Sequence, residues 1–180
     1  MAAAEGGAAP DAAPLDDARV VALLNASFAQ RKNPSVDTLS GGKGGCIEAF
    51  DRAAGTLRMV FRGSDAMCNG KPGPAAQVQG GFASAMLDAV TAQTVVVYSR
   101  LEHTVASLEQ KTTFIAPVPP NKDLTAVAKV VKFGRAIAFL EAELRDGDKL
   151  LCTSSTTIQL VKLPSKADKK AGKADRKSSL

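Results

Sequence analysis

QVQGGFASAMLDAVTAQTVVV, residues 77–97, opens on a Gly-Gly pair and continues as an apolar run that holds a single acid, Asp88. The spacing predicts one long helix from about Gly81 to about Val97, with Phe82, Met86, Ala89, Val90 and Val97 along a broad apolar surface. An unpaired carboxylate is costly inside such a helix, so Asp88 is the first candidate for chemistry.

Outward from this helix the chain reads mostly as strands. Before it, Cys46 to Phe50 and Thr56 to Phe61 flank Asp51-Arg52-Ala53-Ala54-Gly55, a hairpin turn, and a loop from Arg62 to Ala76 carries five Gly or Pro residues. After it come Val105 to Ala116, Leu124 to Phe133, Ala136 to Leu144 and Leu150 to Leu163, separated by turns at residues 117–120, at Gly134 and at residues 146–148. Such short links favour antiparallel pairing. One helix between an initial hairpin and a later group of strands predicts an α+β domain in which a curved sheet wraps the helix. Asp16 and Asp17 precede a shorter amphipathic helix with Val20, Leu23, Leu24, Ser27 and Phe28 on one side.

The chain divides into an Ala/Gly/Pro-rich segment 1–14 expected to be disordered, a domain over 15–163, and a basic tail over 164–180 also expected to be disordered. The formal charge is +5, and residues 166–180 hold six Lys or Arg against Asp168 and Asp175, so +4 of it sits in the tail. The body is nearly neutral, which argues against a nucleic-acid surface. No run has the character of a membrane span, since Thr91 and Gln93 interrupt the most apolar stretch. Three cysteines, Cys46, Cys68 and Cys152, form no paired motif and fit a reducing, cytoplasmic compartment. The terminal Ser178-Ser179-Leu180 departs from a peroxisomal Ser-Lys-Leu address at its middle residue. A lone histidine, His103, and the lack of a CxxC pair give no metal site, and no cofactor is expected. His103 itself reads as an exposed loop residue.

Helix arithmetic bears on Asp88. It lies seven residues from Gly81, on nearly the same face but about 10 Å along the axis. Free amides at the helix start suit a developing oxyanion, yet one chain is poorly placed to bring both groups to one reacting centre. Two chains packed antiparallel could do so, which predicts a homodimer with two shared sites, with a dimer of dimers as a larger form.

Four stretches in order carry a resemblance: Cys68-Asn69; Val78-Gln79-Gly80-Gly81-Phe82 with Ala85-Met86-Leu87-Asp88; Lys111 to Pro117, KTTFIAP; and Val131-Lys132-Phe133-Gly134-Arg135. Together they resemble the hotdog-fold acyl-CoA thioesterases of the PaaI-like, phenylacetate-associated group, over about residues 35–162. The resemblance implies that the Gly80 amide polarises the thioester carbonyl, with Gly81 and Phe82 beside the substrate, and that Gln79 shapes the loop at the thioester. It implies that Asp88, from the facing subunit, is general base or nucleophile, and that Ser107 positions water or that carboxylate. Asn69 corresponds to a carbonyl-binding Asn, although ten residues separate it from Gln79, more than is usual in the family. Coenzyme A carries phosphates, so basic residues near the sheet edge, Lys132, Arg135, Lys129 or Lys111, are candidates to bind it, with Arg135 first because it follows the tight turn at Gly134.

The expected activity is hydrolysis of acyl-CoA to CoA and a carboxylic acid. An acyl-thioester dehydratase or hydratase of the same fold is the second reading, but it calls for a catalytic His that His103 does not match. A non-catalytic acyl-CoA binding protein on the dimeric scaffold is the third.

Overall fold

Alternation of apolar and polar side chains puts Leu57, Met59 and Phe61 on one face of a strand, and all three are fully buried. They pair across to Ala128, Ala126 and Leu124, so Leu57 and Met59 each sit opposite an alanine on the inner face. In the computed structural model, which describes residues 15–30, 38–39, 46–71 and 73–163, this pattern extends into a six-stranded sheet. Its strands are β1 (Cys46–Asp51), β2 (Thr56–Arg62), β3 (His103–Phe114), β4 (Asp123–Phe133), β5 (Ile137–Asp146) and β6 (Lys149–Lys162). Helix α1 spans Asp17–Ala29 and the central helix α2 spans Gly80–Tyr98. The expected disordered ends, 1–14 and 164–180, lie outside the described residues.

Every pairing is antiparallel, in the order β1-β2-β4-β5-β6-β3. Tight turns explain three of the neighbours. The β1–β2 turn closes on Gly55, at φ +65°, where an L side chain would be strained. Helix α2 starts after β2 and delivers β3 to the opposite edge, beyond β6, so it crosses the concave inner face of the curved sheet. Its buried residues, Ala83, Met86, Leu87, Val90, Thr91, Thr94, Val95 and Val97, pack against that face. At 19 residues and a mean hydropathy of 1.2, α2 also meets the length and composition of a membrane span, which the interrupted pattern had argued against. The apolar side that would meet lipid here meets the sheet.

His103 does not sit in an exposed loop. Arg100 and Leu101 both adopt left-handed backbone conformations (φ 51° and 65°), which end α2 abruptly and start β3 at His103, paired with Lys162. The side chain is half-buried, and its Nδ1 is one of five buried polar atoms without a hydrogen-bond partner among the described residues.

The apolar core falls into two clusters. The larger gathers Leu57, Met59, Phe61, Met86, Leu87, Leu124, Leu144 and Leu151, among others. The smaller holds Val95, Ala138, Leu140, Ile158 and Leu160. Along β6 the inner-facing residues run Cys152, Ser154, Thr156, Ile158 and Leu160, so two hydroxyls separate the clusters on that strand. Ser154 Oγ and Thr156 Oγ1 are buried without partners, as is Gln110 Oε1 on β3. An unsatisfied buried polar group costs about 1–3 kcal/mol. Three together are a large share of the ~5–15 kcal/mol that stabilises a domain.

At the far end of α2, Arg52 in the β1–β2 turn joins three elements. Its Nε and Nη2 donate to Asp17 Oδ2 and Oδ1 (2.7 and 2.6 Å), and Nη1 donates to the Tyr98 carbonyl (3.1 Å), an acceptor left open where the helix stops. Its guanidinium also lies over the Phe50 and Tyr98 rings, 5.4 and 5.1 Å from their centroids. The Arg52 hydrogen bond holds the Asp17 carboxyl below its ordinary 3.8, partly offset by desolvation and reinforced by Arg100. An acid depressed in this way contributes stability above its unfolded value, and that contribution is lost as pH falls below 3.8 through the folded value. With the pair about one-third exposed, Arg52→Ala costs about 2 kcal/mol after allowing for solvent screening. The expected result is a melting temperature lower by roughly 4–8 °C at pH 7, and a smaller difference from wild type at pH 3. Equal destabilisation at both values would refute the ion-pair account.

Candidate active site

Three successive turns of α2 touch β3. A Cβ placed on Gly80 would meet the Phe114 ring at 2.9 Å, the Ser84 carbonyl accepts from Gln110 Nε2 at 2.9 Å, and Asp88 Oδ1 accepts from Ser107 Oγ at 2.5 Å. The helix start and the acid therefore lie along one helix–strand seam. β3 is the last strand of the sheet, so its outer edge carries no partner among the described residues.

The start of α2 is shaped by Gln79. As N-cap it accepts the Gly81 N–H on its side-chain oxygen (2.6 Å), while its backbone carbonyl takes the N–H groups of Phe82 and Ala83 (2.9 and 3.3 Å). Only the Gly80 amide of this first turn has no acceptor among the described residues. The cap thus selects one free donor from the several a helix start offers, and a Cβ at Gly81 would collide with the capping oxygen at 2.6 Å. Beside Gly80 opens a cavity of about 270 Å³ lined by Gln77, Val78, Phe114, Ile115 and Pro117 among others. Phe114 and Ile115 are 54% and 53% exposed, unusual for large apolar side chains beside a cavity.

The long approach from Asn69 is looped out. Cys68 bridges Val78, the Asn69 N–H donates to the Gln77 carbonyl (3.0 Å), and the Gln79 N–H donates to the Met67 carbonyl (2.8 Å). These bonds pin both ends of the extended loop, so the extra residues do not separate the backbone of Asn69 from the helix start. The Asn69 side chain is exposed and forms no hydrogen bond among the described residues. Phe82, half-buried, packs on the larger core cluster.

Lys132, Gly134 and Arg135 are not gathered with this group. They lie at the end of β4 and in the β4–β5 turn, on either side of Phe133, whose ring is 4.9 Å from that of Tyr98 at the last residue of α2. The helix separates them from Gly80 by about 27 Å. Burial raises the thiols of Cys68 and Cys152, the latter to about 11, so neither is a ready thiolate at neutral pH. No cluster of three or more His, Cys, Asp or Glu that could hold a metal occurs among the described residues.

The family model of the thioesterase superfamily matches residues 78–153, which run from the turn before α2 into β6. Among solved structures, a phenylacetic acid degradation-related protein from Ralstonia eutropha is 28% identical, covers 76% of this chain and 98% of its own, and gives a TM-score of 0.62. The PaaI protein from the phenylacetic acid degradation operon of Escherichia coli is 18% identical over 78% of this chain and 94% of its own, with a TM-score of 0.62. A thioesterase family protein from Silicibacter pomeroyi is 22% identical over 82% of this chain and all of its own, with a TM-score of 0.64. The last two bear on the fold alone. No curated protein gives a significant sequence match. An antiparallel sheet curved around one long helix is the hotdog fold, and the match over that helix and the strands after it makes the chain similar to the thioesterase superfamily. The Ralstonia eutropha structure makes it similar in particular to the phenylacetate-associated, PaaI-like proteins.

Proposed function

We propose that this chain hydrolyses acyl-CoA thioesters at sites shared between two copies. The observation that carries the reading is the Asp88–Ser107 hydrogen bond on the same seam as the single free amide of Gly80. Within one chain Gly80 and Asp88 are eight residues apart, about 12 Å along the helix, too far to serve one carbonyl. The unpaired edge of β3, twelve residues long, is a ready surface for a second copy. An antiparallel partner laid along it would set Asp88 of one chain near Gly80 of the other.

In this arrangement the thioester oxygen accepts from the Gly80 amide, which stabilises the charge that grows there. Asp88 of the facing chain either takes a proton from a water as its oxygen bonds to the carbonyl carbon, or attacks that carbon itself to give a mixed anhydride that water then opens. In both routes the carbon–sulfur bond breaks, the acyl group leaves as a carboxylic acid, and the thiolate of CoA takes up a proton. Ser107 donates to the carboxylate and holds its orientation. The cavity walled by Phe114 and Ile115 receives the acyl group, and Lys132 and Arg135 of a neighbouring copy are the candidate contacts for the CoA phosphates.

The test is release of free thiol from a panel of acyl-CoAs running from short aliphatic through aromatic to long-chain acyl groups. Turnover of at least one class is expected. Tight binding of acyl-CoA with no thiol released from any of them would overturn hydrolysis in favour of a binding protein.

A further inference from the structure

Three of the five buried polar atoms that have no partner among the described residues occupy one spot. Gln110 on β3 pairs directly with Thr156 on β6, Thr112 pairs with Ser154, and all four side chains face α2 on the inner side of the sheet. Ser154 and Thr156 are 6% and 3% exposed. The Gln110 amide has a fixed orientation, because Ser84 O, which can only accept, lies 2.9 Å from it and must face Nε2. The same Nε2 donates to Thr112 Oγ1 at 3.0 Å, so Oε1 is the atom left over, beside the two orphaned hydroxyls.

From this juxtaposition we infer that Gln110, Ser154 and Thr156 enclose a structural water beneath the active-site turn of α2, and that Gln110 is a positioning residue for Asp88. A water can donate to Gln110 Oε1 and exchange hydrogen bonds with the two hydroxyls, which gives it the two to four partners a buried water needs. The three atoms are closed off from bulk solvent, so a partner for them has to be held inside the protein. Two features tie the cluster to the site. Ser84 is one helical turn before Asp88, and Gln110 follows Ser107 along β3 across the irregularity in register between Ser107 and Glu109. Gln110 thus fastens the turn that carries the acid to the strand that carries its hydroxyl partner. The positioning role rests on the reading of Asp88 as catalytic, whereas the water site does not.

High-resolution crystals of the full chain and of Thr156→Val, an isosteric change, provide the test. The expected wild-type map shows an ordered water within hydrogen-bond distance of Gln110 Oε1 and Thr156 Oγ1. Thr156→Val loses that water, melts about 3–6 °C lower, and has kcat reduced about tenfold with KM within twofold, while Thr156→Ser retains wild-type values. A dry site, a Thr156 hydroxyl donating straight to Gln110 Oε1, or a Thr156→Val protein that melts higher than wild type would overturn the water, the last because replacing a truly unpaired hydroxyl removes a penalty. Unchanged kcat in a variant that has lost the water would overturn the positioning role. The crystal and melting readouts need no turnover, so a dry site in an active enzyme and a wet site in an inactive protein separate failure of this inference from failure of the thioesterase reading.

Discussion

Asp88→Asn lowers kcat for acyl-CoA hydrolysis by on the order of 10³-fold and leaves KM within about threefold. The amide is nearly isosteric, so the Ser107 hydroxyl can still donate to its oxygen, now bonded at 2.5 Å to the carboxylate, and the seam between α2 and β3 stays intact. What disappears is the charge, and with it the ability to take a proton from water or to attack a carbonyl. Ser107→Ala leaves that charge but removes its donor, so it costs less, about tenfold, in line with one hydrogen bond to a charged group. Steady-state kinetics on any substrate that wild type turns over checks both. Turnover by Asp88→Asn at the wild-type rate would remove Asp88 from the chemistry, and a Ser107→Ala defect larger than that of Asp88→Asn would reverse the assigned roles.

Mixing two inactive variants restores activity. Gly80→Val introduces a branched side chain where even a Cβ would lie 2.9 Å from Phe114 Cζ. The half-exposed ring can swing aside, so the fold survives, but ring and side chain then fill the approach to the Gly80 amide. A misplacement of ~1 Å at such a centre costs on the order of 10²-fold, and Asp88→Asn is inactive for its own reason. After subunit exchange at equal amounts, half of the dimers contain one chain of each kind. Each of these carries one site with both defects and one with neither, so roughly a quarter of wild-type activity returns. Mass spectrometry of intact dimers verifies the exchange. Mixed dimers that form without regaining activity would mean that each site lies within a single chain, and light scattering that finds a stable monomer under assay conditions would end the shared-site account.

The element order was readable because the periodicities were clean. Alternation marked β2 and β4 to β6, and the apolar run after Gly80-Gly81 marked α2 to within a residue at either end. The edge strand was harder. β3 begins two residues before its expected start because consecutive left-handed residues, Arg100 and Leu101, shorten the link after α2, and neither is a glycine or asparagine that would announce such a turn. The Arg52 clamp left no local signal, since its partners Asp17 and Tyr98 are 35 and 46 residues away.

The candidate site divides in the same way. Gly80-Gly81 and Asp88 could be named from the residues, because a helix start and an acid in an apolar run are properties of neighbouring residues, whereas Gln79 and Ser107 were named only through the family resemblance. That Gln79 occupies the Gly81 amide and leaves Gly80 free, that Phe114 covers Gly80, and that Ser107 meets Asp88 follow only from the packing of α2 on β3. Gln110, Ser154 and Thr156 were invisible for the same reason: the polar run around residues 153–157 stands out, but which of its side chains turn inward, and which residue on another strand they face, depends on register. The α+β class, the single long helix and the acid at its middle were determined by the sequence itself, through side-chain periodicity and the cost of burying a charge. Which amide is free, which hydroxyl meets the acid, and how far the basic β4–β5 turn lies from the helix start were decided by tertiary structure, because strand order and helix crossing bring together groups that the chain separates.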